Sequence, residues 1–264
     1  MVTPQDFFEL GRRAGQRTFK SKQLSATFTE PEGRFTDDED EPTFTASETL
    51  PTLLEGDVRT IVASLRPKQA AVTLPPKTAY LIFDTETTGL STRSVVCQMA
   101  MAFVNANHEI LCMYNKIWKL PKGRYMSKRS MQVHGITPLQ IRERGVWPAS
   151  EMAQLDRTFK AAIAAKLPIV AFNANFDNRL LRQTAEALGV RSWTLELRHL
   201  TCTCSRSRVH SDLRNVRGAR KGFSNAELFF KFFKRTPDGD LHDAATDVVV
   251  TACTYAMGCQ KRWW

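Results

Sequence analysis

No run of this 264-residue sequence stays apolar for the roughly 20 residues that a membrane-spanning helix needs. The most apolar stretch near the end, VVVTACTYAM at 248–257, is short and broken by threonines. The opening MVTPQDFFEL lacks a basic segment followed by a long apolar core, so no secretory signal is expected. These absences predict an intracellular protein, cytoplasmic or nuclear, with no membrane partner. Cysteine is sparse too: Cys97, Cys112, Cys202, Cys204, Cys253 and Cys259 are spread thinly along the chain. That pattern predicts reduced, mostly buried thiols rather than a disulfide framework. Cys202 and Cys204 form C-x-C, would face one side of a strand, and have no second pair at zinc spacing.

Acidic charge is in the minority, with 27 Asp and Glu against 37 Lys and Arg, a net charge of +10. The imbalance is local. Residues 1–77 carry 10 basic against 12 acidic side chains, which leaves 27 against 15 for residues 78–264. A basic domain behind a slightly acidic leader suggests a polyanionic partner, since neutralised phosphates release condensed counterions.

Residues 1–77 read as an irregular acidic leader. Segment 25–50 is rich in Thr, Ser, Glu, Asp and Pro and has no helical or strand period, so disorder is expected. The run Asp37–Glu41 is either a solvated linker or a docking segment that shields a basic groove. Residues 52–66 have apolar positions at helical spacing and predict a short helix. Pro75 and Pro76 then open a domain over 78–264.

In that domain TAYLIFDTE at 78–86 reads as a buried strand, and residues 95–118 as two strands turning at Asn105–His108. A helix over 150–166 N-capped by Ser150, a strand over 167–173 and a helix over 178–190 ending at Gly189 follow. Ser224 and Glu227 have capping-box spacing before another helix, and a last helix runs from about Asp243 to Cys259. Meander strands followed by strand–helix alternation imply an α/β fold, a mixed central sheet flanked by helices on both faces.

Three acidic patches stand out within this frame. Asp84 and Glu86 sit two residues apart at the end of the first strand, so both leave one face. Such a pair is either a solvated strand end or a cation site, because adjacent carboxylates repel unless a cation joins them. Asp177, in FNANFDNRLL, is either a cap or first-turn acid of the next helix or a third ligand. In LHDAATDVVV, Asp243 is a natural N-cap, Asp247 falls in the first helical turn, and His242 lies on the loop outside. A loop histidine suits proton transfer near neutral pH.

Together these segments resemble the DEDDh exonucleases, the family of bacterial proofreading subunits and related DNases and RNases. The motifs are DTETTGL at 84–90, VHGIT at 133–137, AFNANFD at 171–177 and HDAATD at 242–247. The resemblance implies a ribonuclease H-like fold and 3′→5′ hydrolysis that releases nucleoside 5′-monophosphates. It assigns Asp84, Glu86, Asp177 and Asp247 to two Mg²⁺ or Mn²⁺ ions, Asp84 bridging them, and His242 to the proton. Thr87, Thr88, Gly89 and Leu90 would line the terminal-nucleotide site, with His134 and Asn173 on the substrate side. Phe172 replaces the histidine of the usual A-H-N, a position that holds no metal in the family. The DTE form favours a single-stranded or frayed 3′ end of DNA over RNA. It leaves open a polymerase or another replication or repair protein as partner. An RNA-trimming enzyme and a non-catalytic nucleic-acid scaffold are the competing readings.

Between the second and third motifs lies a basic stretch with Arg206, Arg208, Arg214 and Arg217, expected as a loop that grips phosphates. Lys122, Arg124, Lys128 and Arg129 form a second basic cluster, suited to flank the pocket from the other side. The final Trp263 and Trp264 either fold back on the domain or form a stacking tail.

Overall fold

The computed structural model describes residues 52–65, 74–190 and 193–264. The leader segment 25–50, with its acidic run, lies outside the described residues. The elements in order are α1 (Val58–Ser64), β1 (Thr78–Thr87), β2 (Val96–Asn105), β3 (Ile110–Ile117), α2 (Lys128–His134) and α3 (Pro138–Arg144). They continue with α4 (Pro148–Ala164), β4 (Ile169–Ala171), α5 (Ala174–Ala187), β5 (Leu200–Cys202), α6 (Thr203–Ser207), α7 (Asn225–Phe233) and α8 (Ala244–Gln260).

The five strands form one mixed sheet in the order β3-β2-β1-β4-β5. β1 runs antiparallel to β2 and parallel to β4, so the central strand joins the meander to the strand–helix half. Its side chains alternate between two cores, as the two-residue period of a strand requires. Leu81 and Phe83 pack with Met152, Leu155 and Phe159 of α4 and Leu180 and Leu181 of α5. Tyr80 and Ile82 face the other way, against Val248, Val249 and Ala252 of α8. Each such fully buried side chain contributes about 1.5–3 kcal/mol relative to exposure. α8 is buried nearly all round, which explains why VVVTACTYAM reads as an unbroken apolar segment. No helix among the described residues is long and apolar enough to cross a membrane.

Several local expectations shift. The segment over 52–66 contains α1, and Leu53, Val58 and Ile61 are buried in the core that α8 shares. The folded unit therefore takes in residues upstream of Pro75 and Pro76. α4 begins at Pro148, whose missing N–H suits a first helical position, and Ser150 does not cap it. Instead Ser150 Oγ donates to the Trp147 carbonyl at 3.1 Å. α5 starts at Ala174 rather than at 178, placing Asp177 inside its first turn. The C-x-C pair does not share a strand face: Cys202 ends β5 and Cys204 lies in α6. None of the six cysteines is in a disulfide; Cys97 and Cys253 are fully buried and the others partly so. The basic stretch is not all loop, since it contains α6 and a 3₁₀ turn over Arg208–His210. The terminal tryptophans fold back: Trp263 stacks on His210 and Trp264 on Tyr255.

Candidate active site

β1 and β4 run parallel, and the chain leaves both at one edge of the sheet, where α/β folds place their sites. Asp84 and Glu86 continue the face of β1 that carries Tyr80 and Ile82, so they point to the side on which α8 packs. α5 begins three residues after β4 and carries Asp177 in over the strand ends. α8 supplies Asp247 from its own first turn.

Asp177 is only 2 % exposed, and Thr85 Oγ1 donates to its Oδ1 at 2.8 Å. Thr85 lies between Asp84 and Glu86 but faces the opposite side, so β1 holds carboxylates on both flanks. Asp247 Oδ2 accepts the backbone N–H of His242 at 2.8 Å. That bond fixes His242 in the left-handed conformation, with φ at 68°, a costly backbone for a non-glycine residue. One ligand atom each from Glu86, His242 and Asp247 lies within 4.8 Å of the others.

Asp243 caps α8 by accepting the Thr246 N–H at 3.2 Å. Gln98, buried on β2, anchors this cap. Its Nε2 donates to Asp243 Oδ1 at 2.7 Å, and its Oε1 accepts the Ala244 N–H at 3.3 Å. The strand face and the start of α8 are thereby tied through one amide.

The electrostatics follow from crowding. Burial is the main cause that pushes the Glu86 carboxyl up to about 9, helped by repulsion from Asp247, Asp243 and Asp177. Burial also raises Asp177 to about 7, against the opposing Thr85 hydrogen bond. Asp84 is driven well above the usual carboxylate range by burial, then by Asp177, Asp247 and Glu86. Asp247 is raised by burial, with the His242 N–H bond opposing. Among the described residues none of the four forms an ion pair with Lys or Arg. Four oxygen-rich, mutually repelling groups without a protein cation fit hard divalent ions.

Beside the carboxylates lies a cavity of about 730 Å³, lined by Glu86, Thr87, Thr88, Gly89, Leu90 and His134 among others. Leu90 is 71 % exposed on its wall, an apolar side chain available to a base. Thr87 Oγ1 donates to the Gly89 carbonyl at 2.9 Å, and Thr88 Oγ1 accepts the Val95 N–H at 3.0 Å. Both hydroxyls therefore shape the loop. Gly89 is required by close approach, since a Cβ there would stand 2.9 Å from Ser94 Oγ.

His134 Nδ1 accepts the Ile136 N–H at 3.0 Å, which leaves Nε2–H to donate to the Thr87 carbonyl at 3.2 Å. This imidazole straps α2 to the end of β1, and burial lowers its pKa. Asn173 is exposed and lines a neighbouring depression with Phe176 and Arg179 instead of this cavity. Arg206, Arg208, Arg214 and Arg217 are exposed and do not line the cavity either. The cations on its wall are Arg93, Arg124 and Arg129, the last two from the second basic cluster. Sequence reasoning missed Arg93, Tyr125 and Val133 on this wall, as well as the supporting roles of Thr85 and Gln98. Tyr125 lies in the basic run 122–129, Val133 in VHGIT and Thr85 in DTETTGL, whereas nothing in the sequence marks Arg93 or Gln98.

The profile of the exonuclease family RNase_T matches residues 81–255, which contain every carboxylate of the site. The chain belongs to this family of exonucleases. Among curated protein sequences, none matches. Solved structures of E. coli Exonuclease I share the fold. Its complex with a dA16 oligonucleotide is 18% identical with a TM-score of 0.52, over 70% of this chain and 41% of that one. The zinc-bound Exonuclease I–ssDNA complex is 18% identical with a TM-score of 0.56, again over 70% and 41%. The product-bound form is 17% identical with a TM-score of 0.55, over 71% and 45%. The alignment thus spans less than half the length of those proteins. Within the RNase_T family fold, the central strand and the first turns of α5 and α8 assemble the acidic cluster of this chain.

Proposed function

We propose that this exonuclease removes nucleotides from the 3′ end of a polynucleotide and releases nucleoside 5′-monophosphates, with DNA favoured over RNA. The convergence of Asp84, Glu86, Asp177 and Asp247, with His242 beside them, carries the reading. These carboxylates would hold two Mg²⁺ or Mn²⁺ ions. Bound there, divalent ions supply charge neutralisation at the phosphate and a lowered pKa for attacking water.

The protein's own groups account for the remaining roles. His242 stands on a loop at the edge of the cluster, where an imidazole nitrogen can take the proton of the attacking water. A bond forms from that water oxygen to phosphorus, the bond to the 3′-oxygen breaks, and the shortened strand keeps its 3′-hydroxyl. Leu90 packs on the terminal base, and Thr87, Thr88 and Gly89 hold the loop that carries it. Arg93, Arg124 and Arg129 meet phosphates near the cavity. The phosphodiester chemistry is indifferent to the 2′-hydroxyl, so the preference for DNA rests on the sequence of the first motif.

The test is digestion of 5′-end-labelled single-stranded DNA and RNA, side by side, with Mg²⁺ or Mn²⁺. A ladder that shortens one nucleotide at a time, faster on DNA, is expected. Absence of metal-dependent digestion of either strand overturns the reading, and faster digestion of RNA reverses the substrate assignment.

A further inference from the structure

A second groove, of about 560 Å³, adjoins the cavity beside the carboxylates and shares Arg124, Tyr125 and Met126 with it. Its own walls add Lys119, Arg142 and Trp147. Trp147 is 63 % exposed and Tyr125 84 % exposed, although both are large enough to pay heavily for contact with water. Single exposed apolar side chains are ordinary on protein surfaces. Two aromatics in one groove with three cations are not.

The backbone that carries Trp147 is fixed. Val146 donates to the Ile117 carbonyl at 2.9 Å and accepts from the Lys119 N–H at 2.8 Å, and Pro148 opens α4 on the other side. The indole is therefore mounted between a bridge to β3 and the start of a helix, with only its side-chain torsions free. Lys119 Nζ stands 5.3 Å from the centre of its ring. No acidic residue lines the groove, and among the described residues Lys119, Arg124 and Arg142 form no ion pair. Among the described residues no carboxylate pairs with this positive charge.

We propose that this groove is a binding site for further nucleotides of the single-stranded substrate, continuous with the terminal-nucleotide cavity. Bases stack on Trp147 and Tyr125, while Lys119, Arg124 and Arg142 meet the phosphates between them. Aromatic faces accept any base, and lysine and arginine accept any phosphate, so the site binds without sequence preference. Continuity through Tyr125 gives the strand one path, and the absence of carboxylates suits a polyanion. The inference rests on the exonuclease reading for its direction, but the binding itself does not require catalysis.

The experiment uses the full chain. Binding of fluorescein-labelled dT12 is measured in EDTA, and hydrolysis of dT12 and of thymidine 5′-(p-nitrophenyl) phosphate in Mg²⁺. The ester has no neighbouring nucleotide and cannot reach the groove. Trp147→Ala is expected to weaken dT12 binding roughly tenfold, Trp147→Phe to restore most of it, and ester hydrolysis to stay unchanged. Arg142→Gln, a surface change, should lower the salt slope of dT12 binding by about one. Unchanged dT12 affinity in Trp147→Ala overturns the proposal. So does an equal loss on the ester, which would place Trp147 in support of the catalytic pocket, or a loss seen only with duplex ends. If the unaltered protein hydrolyses neither substrate yet binds dT12 through Trp147, the groove stands and the exonuclease reading falls.

Discussion

The Thr85 hydroxyl and the Asp177 carboxylate meet at 2.8 Å across the edge of the sheet, joining β1 to the first turn of α5. This bond favours the ionised form of a carboxylate that burial otherwise drives towards the neutral one. Thr85→Val keeps the shape and removes the donor. The Asp177 carboxyl then rises further above about 7, and the acid limb of the pH–activity profile moves to higher pH. A profile that overlays that of the unaltered protein would show the bond to be irrelevant to the site.

Metal-free protein should lose stability as pH rises. The Glu86 carboxyl sits near 9 in the fold against an ordinary 4.5, so between those values the folded chain binds more protons than the unfolded one. Stability is then greatest below the lower value and declines through the upper one. Thermal unfolding in EDTA from pH 5 to 9 should show a falling Tm. Added Mn²⁺ should restore Tm, with a larger gain at higher pH. A flat or rising Tm in EDTA contradicts the crowding of these acids.

Replacing Glu86 by Gln fixes the neutral form that the metal-free fold otherwise reaches only by taking up a proton. The expected result is a higher Tm in EDTA together with hydrolysis lowered by orders of magnitude, as when a strained site trades stability for function. A lower Tm would mean that the carboxylate is satisfied without a cation.

The elements that were legible in the sequence are those with strong local signals. β1 announces itself because apolar residues run unbroken into Asp84 and Glu86, and α7 because Ser224 and Glu227 form a capping box. Asp243 as the cap of α8 was equally plain. The start of α5 was not, because Asn173 occupies the cap position without making a side-chain cap bond. α2 and α3 went unread, although Thr137, Pro138 and Gln140 form a capping box with proline at the first turn. The four carboxylates are singled out by the resemblance of their motifs, since beside an apolar run alone each reads equally as a solvated strand end or a helix cap. Their supports are not: Gln98 and Asp243 are 145 positions apart, and only the sheet brings them together. Nor could the placing of the arginines be read, since the path of a connection is set by what it packs on.

The amide of Gln98 therefore makes its own prediction. Gln98→Leu leaves the Asp243 carboxylate and the Ala244 N–H without their buried partner, which costs about 1–3 kcal/mol. Tm should fall, and hydrolysis should fall with it because His242 and Asp247 sit at the end of the helix so loosened. Unaltered kinetics would separate that helix end from the site.

His242→Ala tests the proton. A loss of about 10²–10⁴-fold in kcat with Mn²⁺ affinity retained, read by calorimetry, is expected of a general base. A parallel loss of Mn²⁺ affinity would instead make the imidazole a ligand, which its 4.8 Å grouping with Glu86 and Asp247 would also allow.

The short helix ahead of β1 has a practical bearing on how the enzyme can be shortened. Asp238 Oδ1 accepts the Val58 N–H at 3.0 Å, and Leu53, Val58 and Ile61 pack in the core that α8 shares, the helix that presents Asp247. A fragment trimmed back to the prolines at 75 and 76 would strip those three side chains from the helix and leave a greasy furrow along its back. Such a fragment would retain every acidic ligand in its sequence and yet tend to clump, so preparations for assay should begin upstream of Leu53.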